Sequence, residues 1–543
     1  MLLNNFYEFL VRKTDFDIPF FIDEKALYTR YDLYKVVFLL WKRINKIKTD
    51  DTNRLVIVSD DGFIFCASVF AASLNLLDIH TPNSLSYESV KKISKNSIIV
   101  YESRALFDSL EQQRRSLSSI ENGYVSNSNN NEASIIKQND CVDSGFLNNC
   151  IFFDEIIKQS RFLNDISIKG IVGFDDYKKL VLDALTNQVY SDVSIVQYTS
   201  GTTGVSKSIS RTIKSFILEA IGLSKALRVS EHKARENQNI ILVATVPLFH
   251  AYGIMMRFFV PIVSMLKMYS SIIEYEEQFK SLLTRAFKFA LVVSPLFVKR
   301  TEFSLPKDKV VYVTSAGSKL DSYSIEKAKH FCDIEIFDLF GSTETGCMGF
   351  RYVNDGDEVL SVLDGNEINV FLSDSNELKD ITSLEQLEQN NEAIKSNGVG
   401  RILLKGPYLK NSFFLGDDVI ELNKDKTFKV LGRIGRLVKL EDNRVSLDEI
   451  ETTIRNLNLI KDAAIVSYCR GVRQYLGAAI VLDTDGKWLL NDVGKGRFVI
   501  HLRNLLTHKM LQIAIPRSFH IYDELPLLPN GKVAYKQIQT DFE

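Results

Sequence analysis

The chain has 543 residues, of which 45% are hydrophobic and 25% charged, and its formal net charge at pH 7 is −2. This length exceeds one compact core and suggests about three or four units of ordinary domain size. The near-neutral charge gives no reason to expect nucleic acid or an anionic membrane as a partner. The six cysteines form no C-x-x-C pair, which argues against a zinc site or disulfide framework and favours a reducing compartment.

The N-terminus, Met1–Glu8, has no basic stretch followed by an apolar core, so a secretory signal is not predicted. The most apolar stretch, Met255–Met268, contains Arg257, Pro261 and Lys267. It is too interrupted for a membrane-spanning helix, which needs about 18 apolar residues. We therefore expect a cytoplasmic enzyme or binding protein without a membrane span.

Short β-branched runs alternate with apolar helical segments along much of the chain. Leu55–Ser59 predicts a buried strand, and Phe63–Leu76 predicts the helix that follows it. This alternation indicates an α/β fold with largely parallel strands, in which ligands usually bind at the carboxyl ends of the strands. Further strands are predicted at Val193–Tyr198, Ile240–Val246, Phe289–Val293, Lys309–Thr314 and Ile334–Asp338, and further helices from Gly253 onward and at Asp321–Phe331.

Two polar segments interrupt this alternation. Residues 112–160 include the Asn-rich run Ser126–Glu132 and show no periodicity, so we interpret them as a surface insertion. Residues 372–398 are rich in Asn, Ser, Glu and Asp and predict a second solvated excursion.

The composition changes again near residue 430. Phe428–Arg436 carries two glycines among charged residues, and Ser446 with Glu449 three positions on matches a capping box at a helix start. We place a hinge here, between a large domain of residues 1–432 and a small α+β domain of residues 433–543. The large domain is expected to hold mixed, largely parallel sheets layered with helices.

The stretch Tyr198–Lys207 gathers hydroxyls, glycines and a lysine directly after a predicted strand. Such a turn brings backbone N–H groups and hydroxyls around a phosphate, and glycine leaves room for close approach. Its spacing is not that of a Walker P-loop, because Ser206 stands where the second glycine would precede the lysine. A Ser/Thr-rich surface turn is the alternative. The candidate phosphate-binding residues are Thr199, Ser200, Gly201, Thr202, Thr203, Gly204 and Lys207.

A second motif, Phe337–Gly346, places an aromatic residue, a glycine, hydroxyls and the carboxylate of Glu344 at the end of another predicted strand. A carboxylate near phosphates would hold Mg²⁺, a cation that prefers oxygen ligands. Between the two motifs lies His250, and a lone histidine after an apolar run is more often a packed core residue than a catalytic one. Three further motifs follow, namely Phe414–Asp417, Gly432–Arg433 and Leu525–Val533.

In this order, the motifs resemble those of the adenylate-forming superfamily of acyl-CoA synthetases, peptide-synthetase adenylation domains and luciferases. The resemblance runs from near residue 55 to Lys532. It implies that the loop with Lys207 holds the β- and γ-phosphates of ATP, and that Phe340 lines the adenine site. It also implies that Thr343 contacts a phosphate and that Glu344 binds Mg²⁺.

The same resemblance assigns the C-terminal motifs. Asp417 would accept hydrogen bonds from the ribose hydroxyls, with Asp418 as a neighbouring alternative, and Arg433 would contact ribose or phosphate. Lys532 would stabilise charge on the α-phosphate and acyl carboxylate, so Lys532, Thr343 and Lys207 are the expected catalytic residues.

His250, Ala316 and Gly317 are the residues that the resemblance places around the acyl group. Amino-acid-activating relatives usually have an aspartate where this chain has His250. An ammonium without a carboxylate partner binds poorly. We therefore expect a non-amino acid, fatty or aryl, as the substrate.

The acceptor step is the least defined by sequence. The family usually has an acid where this chain has Gly435 and a glycine where it has Asp442, although Lys439 and Arg444 remain available for this step. The resemblance implies ATP and Mg²⁺ as cofactors and coenzyme A as the default acceptor. A phosphopantetheine arm on an acyl carrier protein is the rival acceptor. A luciferase-like oxygenase and a non-catalytic nucleotide- or acyl-binding protein are the further alternatives.

Overall fold

The structure, a computed structural model, describes most of the chain. The described residues are 4–11, 17–24, 26–112, 149–162, 174–184, 187–199, 207–236, 239–300, 306, 308–317, 320, 325–326, 336–353, 358–372, 393–407, 409, 412–440, 443–470, 473–507, 509–528 and 533–543.

One sheet contains six strands within these residues, in the order β6-β5-β3-β4-β7-β8. Neighbouring strands run parallel except β7 and β8, which form an antiparallel hairpin. Strands that helices cover on both faces tend to be continuously apolar, as the predicted strand at residue 55 is. The strands are β3 (Arg54–Val58), β4 (Asp78–Thr81), β5 (Ser97–Tyr101), β6 (Cys150–Phe152), β7 (Ser194–Thr199) and β8 (Lys207–Thr212).

A second sheet contains fourteen strands in the described part of the chain, in the order β17-β16-β18-β19-β20-β15-β14-β13-β12-β11-β9-β10-β1-β2. The run from β1 through β10, β9, β11 and β12 to β13 is parallel, and the pairs beyond β13 are antiparallel. The strands are β1 (Pro19–Ile22), β2 (Leu27–Thr29), β9 (Ile240–Ala244), β10 (Lys267–Tyr269), β11 (Lys288–Val293), β12 (Val310–Ser315), β13 (Ile336–Ser342), β14 (Gly346–Tyr352), β15 (Leu360–Val362), β16 (Glu367–Phe371), β17 (Ile394–Lys395), β18 (Gly398–Lys405), β19 (Phe413–Leu422) and β20 (Thr427–Arg433).

Helices pack between and around the two sheets. Helix α3 (Gly62–Leu74) has all its residues buried. The core around it contains residues from strands of both sheets, for example Leu55 of β3 and Leu242 of β9. A helix that is apolar on every face is stable only when it is enclosed in this way. The helices are α1 (Asn4–Val11), α2 (Arg30–Ile47), α3 (Gly62–Leu74), α4 (Tyr87–Lys91), α5 (Phe153–Phe162), α6 (Phe174–Ala184), α7 (Ile213–Ala226), α8 (Val229–Arg235), α9 (Ala251–Ile254), a π-helical turn (Met255–Phe259), α10 (Val260–Ser264), α11 (Glu276–Leu283) and α12 (Pro295–Arg300).

The smaller C-terminal domain has its own core. Alternate residues of β23 face opposite sides of a three-stranded sheet, so Ile465 packs towards α13 and α14 and Ala464 towards α15. Ser446 caps α13 by accepting a hydrogen bond from the Glu449 N–H at 3.2 Å, as the sequence predicts. The elements are β21 (Leu437–Leu440), β22 (Asn443–Ser446), α13 (Leu447–Arg455), β23 (Ile460–Arg470), β24 (Arg473–Leu482), α14 (Thr484–Thr507), β25 (Ser518–Tyr522) and α15 (Tyr535–Thr540), with 3₁₀ turns at Gln188–Tyr190, Ile434–Arg436 and Gln512–Ala514.

The α/β fold with a large, sheet-rich domain and a smaller C-terminal domain is confirmed. The predicted extent of the first insertion was wrong at its far end, because Cys150–Phe152 form a buried strand paired with β5. Three apolar residues that follow a polar stretch are too few to show an alternating pattern, so this strand was not predicted. Residues 113–148 lie outside the described residues, as does most of the helix predicted at 321–331. The domain boundary at 432/433 stays a prediction. Within the described residues, no helix is long and apolar enough to cross a membrane.

Candidate active site

The predicted phosphate loop is the turn of the hairpin between β7 and β8, which we call the first hairpin. Thr199 stands opposite Lys207 in its register. Residues 200–206, which connect the two strands in the sequence, lie outside the described residues. Thr199 ends β7, and Lys207 begins β8 with an exposed side chain. The loop therefore leaves the sheet at the carboxyl end of a strand parallel to its neighbour β4, where the α/β pattern predicts a ligand.

The residue before the loop is tied to the adjacent strand. The Tyr198 hydroxyl and His80 Nδ1 are 2.8 Å apart and hydrogen bonded. Burial, followed by the charge of Arg54, lowers the pKa of His80 to about 4. The imidazole is therefore neutral at pH 7 and holds the end of β7 through its hydrogen bond.

The predicted metal and adenine motif is the turn between β13 and β14, which we call the second hairpin. Ser342 stands opposite Gly346 in its register, and buried Thr345 closes the turn, since its Oγ1 accepts from the Ser342 N–H at 3.1 Å and donates to the Gly346 carbonyl at 2.9 Å. Thr343 is half-buried and Glu344 is exposed at the tip. The turn thus presents the two residues that the resemblance assigns to phosphate and metal.

Phe340 lies in β13 just before this turn. Its ring is half-buried and packs edge-on against Phe428 at a centroid distance of 5.9 Å. Phe340 therefore lies beside the turn with its side chain partly accessible, and its role at the adenine base stays a prediction.

The segment that carries His250 is held by a buried ion pair. Arg257 Nη1 lies 2.8 Å from Asp60 Oδ1, and the Leu248 N–H donates to the same oxygen. Arg257 Nη2 donates to the carbonyls of Asp60 and Ser270. Burial raises the pKa of Asp60, although Arg257 opposes the shift. His250 itself stands at the N-cap position of α9, with its ring 5.0 Å from that of Phe249.

The predicted acyl-pocket residues are brought together by a hydrogen bond between two motifs. The Tyr252 hydroxyl donates to Thr314 Oγ1 at 2.8 Å. Thr314 is the penultimate residue of β12, and Ala316 and Gly317 directly follow the end of this strand. Gly317 has a φ of +100°, a conformation that favours glycine. The structure therefore places the His250 segment next to the turn predicted to separate adenine from the acyl group.

The two candidate ribose carboxylates differ sharply. Asp417 has a side chain 79% exposed and pairs with Arg401 at 3.3 Å. Asp418 is buried and lies 2.8 Å from Arg433 Nε, with which it is in register between β19 and β20. Alternation along β19 puts these neighbours on opposite faces. Asp417 is thus open to a ligand, whereas Asp418 fixes Arg433.

Arg436, just past the last strand of the large sheet, is anchored in the small domain. Its guanidinium pairs with Asp448, lies 2.6 Å from Glu451 Oε2 and donates to the Ile465 carbonyl at 3.0 Å. It also stacks 4.0 Å from the ring of Tyr535, whose hydroxyl donates to Glu451 at 2.9 Å.

The remaining predicted residues are placed by backbone alone or not at all. Lys439 and Arg444 stand opposite each other in the β21–β22 hairpin. Lys532 lies outside the described residues, two residues before Ala534 at the N-cap of α15. Among the described residues, no three His, Cys, Asp or Glu side chains cluster as a metal site.

Several residues of the site were missed from the sequence. Asp60, Arg257, Thr345 and Arg436 all act through partners distant in sequence or buried in a turn. Arg257 had a usable signal, because a lone arginine inside a strongly apolar segment needs a buried partner.

The chain is similar in sequence and in fold to known proteins. A profile described as AMP-binding enzyme matches residues 130–411. The chain is 26% identical over 234 residues to the D-alanine–D-alanyl carrier protein ligase of Lactiplantibacillus plantarum, covering 39% of this chain and 43% of that protein. It is 25% identical over 416 residues to gramicidin S synthase 2 of Brevibacillus brevis, covering 70% of this chain and 9% of the synthase. The alignments thus span less than half the length of these curated relatives.

A solved benzoate CoA ligase from Burkholderia xenovorans LB400 has the same fold. Its structure superposes with a TM-score of 0.67 at 16% identity, covering 99% of this chain and 100% of that chain. The similarity therefore extends over both the large and the small domain.

Proposed function

The chain belongs to the AMP-binding enzyme family, whose profile matches slightly more than half of its residues, and we propose that it is an ATP-dependent ligase for a carboxylic acid. The observation that carries the proposal is the presence of two hairpin turns, one following Thr199 and one presenting Thr343 and Glu344, whose exit strands both contact the buried Glu219 carboxylate. The products of the first reaction would be an acyl-adenylate and pyrophosphate.

In that first reaction, an oxygen of the substrate carboxylate attacks the α-phosphorus of ATP, and the bond to pyrophosphate breaks. The protein has little covalent work in such a transfer, so positioning and charge stabilisation dominate. Lys207 and the loop hydroxyls would hold the outer phosphates, and Lys532 would offset charge at the α-phosphate. Mg²⁺, held by Glu344, would neutralise phosphate charge.

In the second reaction, a thiol attacks the acyl carbonyl, the bond to AMP breaks, and the thiol proton passes to water. We propose that the small domain rotates between the two steps. Arg433 is held by Asp418 on the large sheet and Arg436 by the small domain, so the rotation would fall on Ile434 and Gly435. Lys439 and Arg444 are proposed to serve this step.

The substrate is proposed to be a fatty or aryl acid without an amino group. The carboxylate beside the His250 segment, Asp60, already pairs with Arg257 and accepts the Leu248 N–H. An incoming ammonium group would compete with a buried guanidinium for it, which is unfavourable.

Coenzyme A is the proposed acceptor, in line with the shared fold of the benzoate CoA ligase. A carrier-protein thiol is the second candidate. The relative from Lactiplantibacillus plantarum favours it, because its name gives a carrier protein as the acceptor.

Acid-dependent exchange of labelled pyrophosphate into ATP tests the proposal. We expect exchange with some members of a panel of fatty and aryl acids and none with amino acids, D-alanine included. Exchange with D-alanine alone would overturn the substrate proposal, and no exchange with any acid would favour a binding protein. Consumption of coenzyme A in the presence of the active acid then separates the two acceptors.

A further inference from the structure

A buried ion pair connects the two hairpins that carry the proposed phosphate and metal residues. Arg211 lies on β8, the strand that begins with Lys207, and Glu219 lies on the helix that follows, α7. Arg211 Nη2 and Glu219 Oε2 are 2.6 Å apart, and the two side chains are 5% and 3% exposed. We call this pair the Arg211–Glu219 couple.

The second oxygen of Glu219 reaches the other hairpin. The Cys347 N–H donates to Glu219 Oε1 at 2.7 Å. Cys347 directly follows Gly346, which closes the turn containing Thr343 and Glu344. One carboxylate therefore binds the exit strand of the first hairpin with one oxygen and the exit strand of the second with the other.

The second hairpin leaves room for the couple only because residue 346 is glycine. A Cβ built on Gly346 would overlap the Glu219 carboxylate and lie 2.7 Å from Arg211 Nη1. The φ of Gly346 is +67°, in the left-handed region. Turn conformation and ion pair thus depend on the same small residue.

Arg211 has little freedom to move away from Glu219. Its Nε donates to Ser215 Oγ at 3.3 Å, and its guanidinium lies 4.3 Å from the centre of the Phe216 ring. Both partners belong to the first turn of α7. The guanidinium is thereby held in one orientation between helix and hairpin.

A buried ion pair is a poor way to gain stability, because the desolvation of two charges offsets their attraction and apolar residues of similar size do as well. What such a pair supplies is a fixed distance and direction between the elements it joins. We propose that the Arg211–Glu219 couple is a positioning device, which sets the separation of the two hairpins so that ATP phosphates and Mg²⁺ are held together.

This inference rests on the proposed use of ATP by the two hairpins. It assigns no chemistry to either residue, since both act through the strands that they hold. Loss of the couple should therefore weaken the binding of ATP with Mg²⁺ beyond any effect on folding.

Two variants separate positioning from stability. Glu219→Gln keeps an acceptor for Cys347 N–H but leaves Arg211 buried without a counter-charge. The double variant Arg211→Met with Glu219→Leu replaces the pair by apolar residues and leaves no lone buried charge, so its thermal unfolding midpoint should lie above that of Glu219→Gln. It removes the acceptor for Cys347, so the second hairpin is no longer held.

The matched control is Asp32→Asn on α2. Asp32 pairs at 2.9 Å with the buried Lys35 and completes the capping box with Thr29. This variant should lower the unfolding midpoint while ATP affinity stays at the wild-type value.

The experiment measures ATP binding in the presence of Mg²⁺ by isothermal titration calorimetry, and thermal unfolding of the same samples by circular dichroism. The double variant is expected to bind ATP about tenfold or more weakly at an unfolding midpoint no lower than that of Asp32→Asn, and Glu219→Gln is expected to weaken binding as well. Wild-type affinity in the double variant would overturn the proposal, as would an equal loss of affinity in Asp32→Asn.

Because binding needs no acid substrate, the outcome is independent of the ligase assay. A wild-type chain that binds ATP with Mg²⁺ but exchanges no pyrophosphate would refute the proposed function. The ATP affinities of the variants would still test whether the Arg211–Glu219 couple positions the two hairpins. A wild-type chain that binds no ATP would overturn both.

Discussion

Arg433 and Arg436 stand three residues apart on either side of the proposed hinge, yet their surroundings differ. The Arg433 side chain is 58% exposed and pairs with the single carboxylate of Asp418. The Arg436 side chain is 17% exposed and contacts two carboxylates, a carbonyl and an aromatic ring. An exposed pair exchanges partners at little cost, whereas a buried network does not. In the proposed rotation, the segment around Arg436 would therefore move with the small domain, and the contact of Arg433 with Asp418 would be the one to change.

The first prediction concerns Lys532, which is proposed to move with the small domain that Arg436 contacts. We expect Lys532→Ala to lower pyrophosphate exchange by at least about two orders of magnitude, the effect of removing one preorganised charge donor. Thioester formation from supplied acyl-adenylate should persist, because that step would use the rotated domain. Survival of both half-reactions would show that the assigned role of Lys532 is wrong.

Removal of the half-buried Arg436, which contacts the buried Glu451, should have the largest effect on stability. Arg436→Met leaves Glu451 buried with one fewer counter-charge, so the free energy of unfolding of the small domain should fall by about 3–5 kcal/mol. Urea unfolding followed by hydrogen exchange of the backbone amides of α13 and α14, read by mass spectrometry, measures it within this domain.

Arg455→Met is the matched control for that loss. Arg455 also contacts Glu451, at 2.6 Å, but does not bridge to the hinge. If Arg436→Met and Arg455→Met lowered thioester formation equally, the Arg436 contacts would stabilise the small domain without linking it to the hinge.

Mild acid should lower the stability of the large domain, where His80 lies on β4. The pKa of His80 is lowered by burial to about 4, below its unfolded value of about 6.5. Between those values the unfolded chain binds the extra proton, so stability is lost as pH falls from about 6.5 to 4, by on the order of 3 kcal/mol.

Thermal unfolding between pH 7 and 4 measures this loss. His80→Gln retains a hydrogen-bonding group for Tyr198 but does not titrate in this range, so its midpoint should fall less over the same interval. Parallel curves for the variant and wild type would refute the assignment to His80.

The smallest effect is expected at the exposed arginine. Arg433→Lys keeps the charge facing Asp418, and the free energy of unfolding should change by no more than about 1 kcal/mol. The Michaelis constant for ATP should nevertheless rise, because lysine lacks the planar fork suited to phosphate or ribose oxygens. A stability loss equal to that of Arg436→Met would contradict the distinction between the two arginines.

Much of the fold could be predicted because its strands are short apolar runs with local signals. The strands at Leu55, Ile240 and Phe289 appear within one or two residues of their predicted bounds. Cys150–Phe152 was missed, since its neighbours are polar and its pairing with β5 is not a local property. Pairing across a sheet depends on residues that the sequence pattern does not bring together.

The residues of the site likewise fall into those with a local sequence signal and those that depend on contacts between distant elements. The turns with Lys207 and Glu344 have local signatures of glycine and hydroxyl residues, so their place at strand ends followed from the sequence. Neither the couple of Arg211 with Glu219 nor the burial of Asp418 could be predicted, because both depend on which face of a strand meets which helix. Their roles at the nucleotide stay predictions.

The pairing of β1 with β10 has a consequence for synthesis of the chain. Phe21 is opposite Met268, about 250 residues later, so at about 5–20 residues per second β1 waits tens of seconds on the ribosome for its partner. During that time α3, apolar on every side, lacks the sheet that covers one of its faces. Nascent chains of this protein should therefore need chaperone protection until residue 342 has emerged and β13, the last strand of that parallel core, is available.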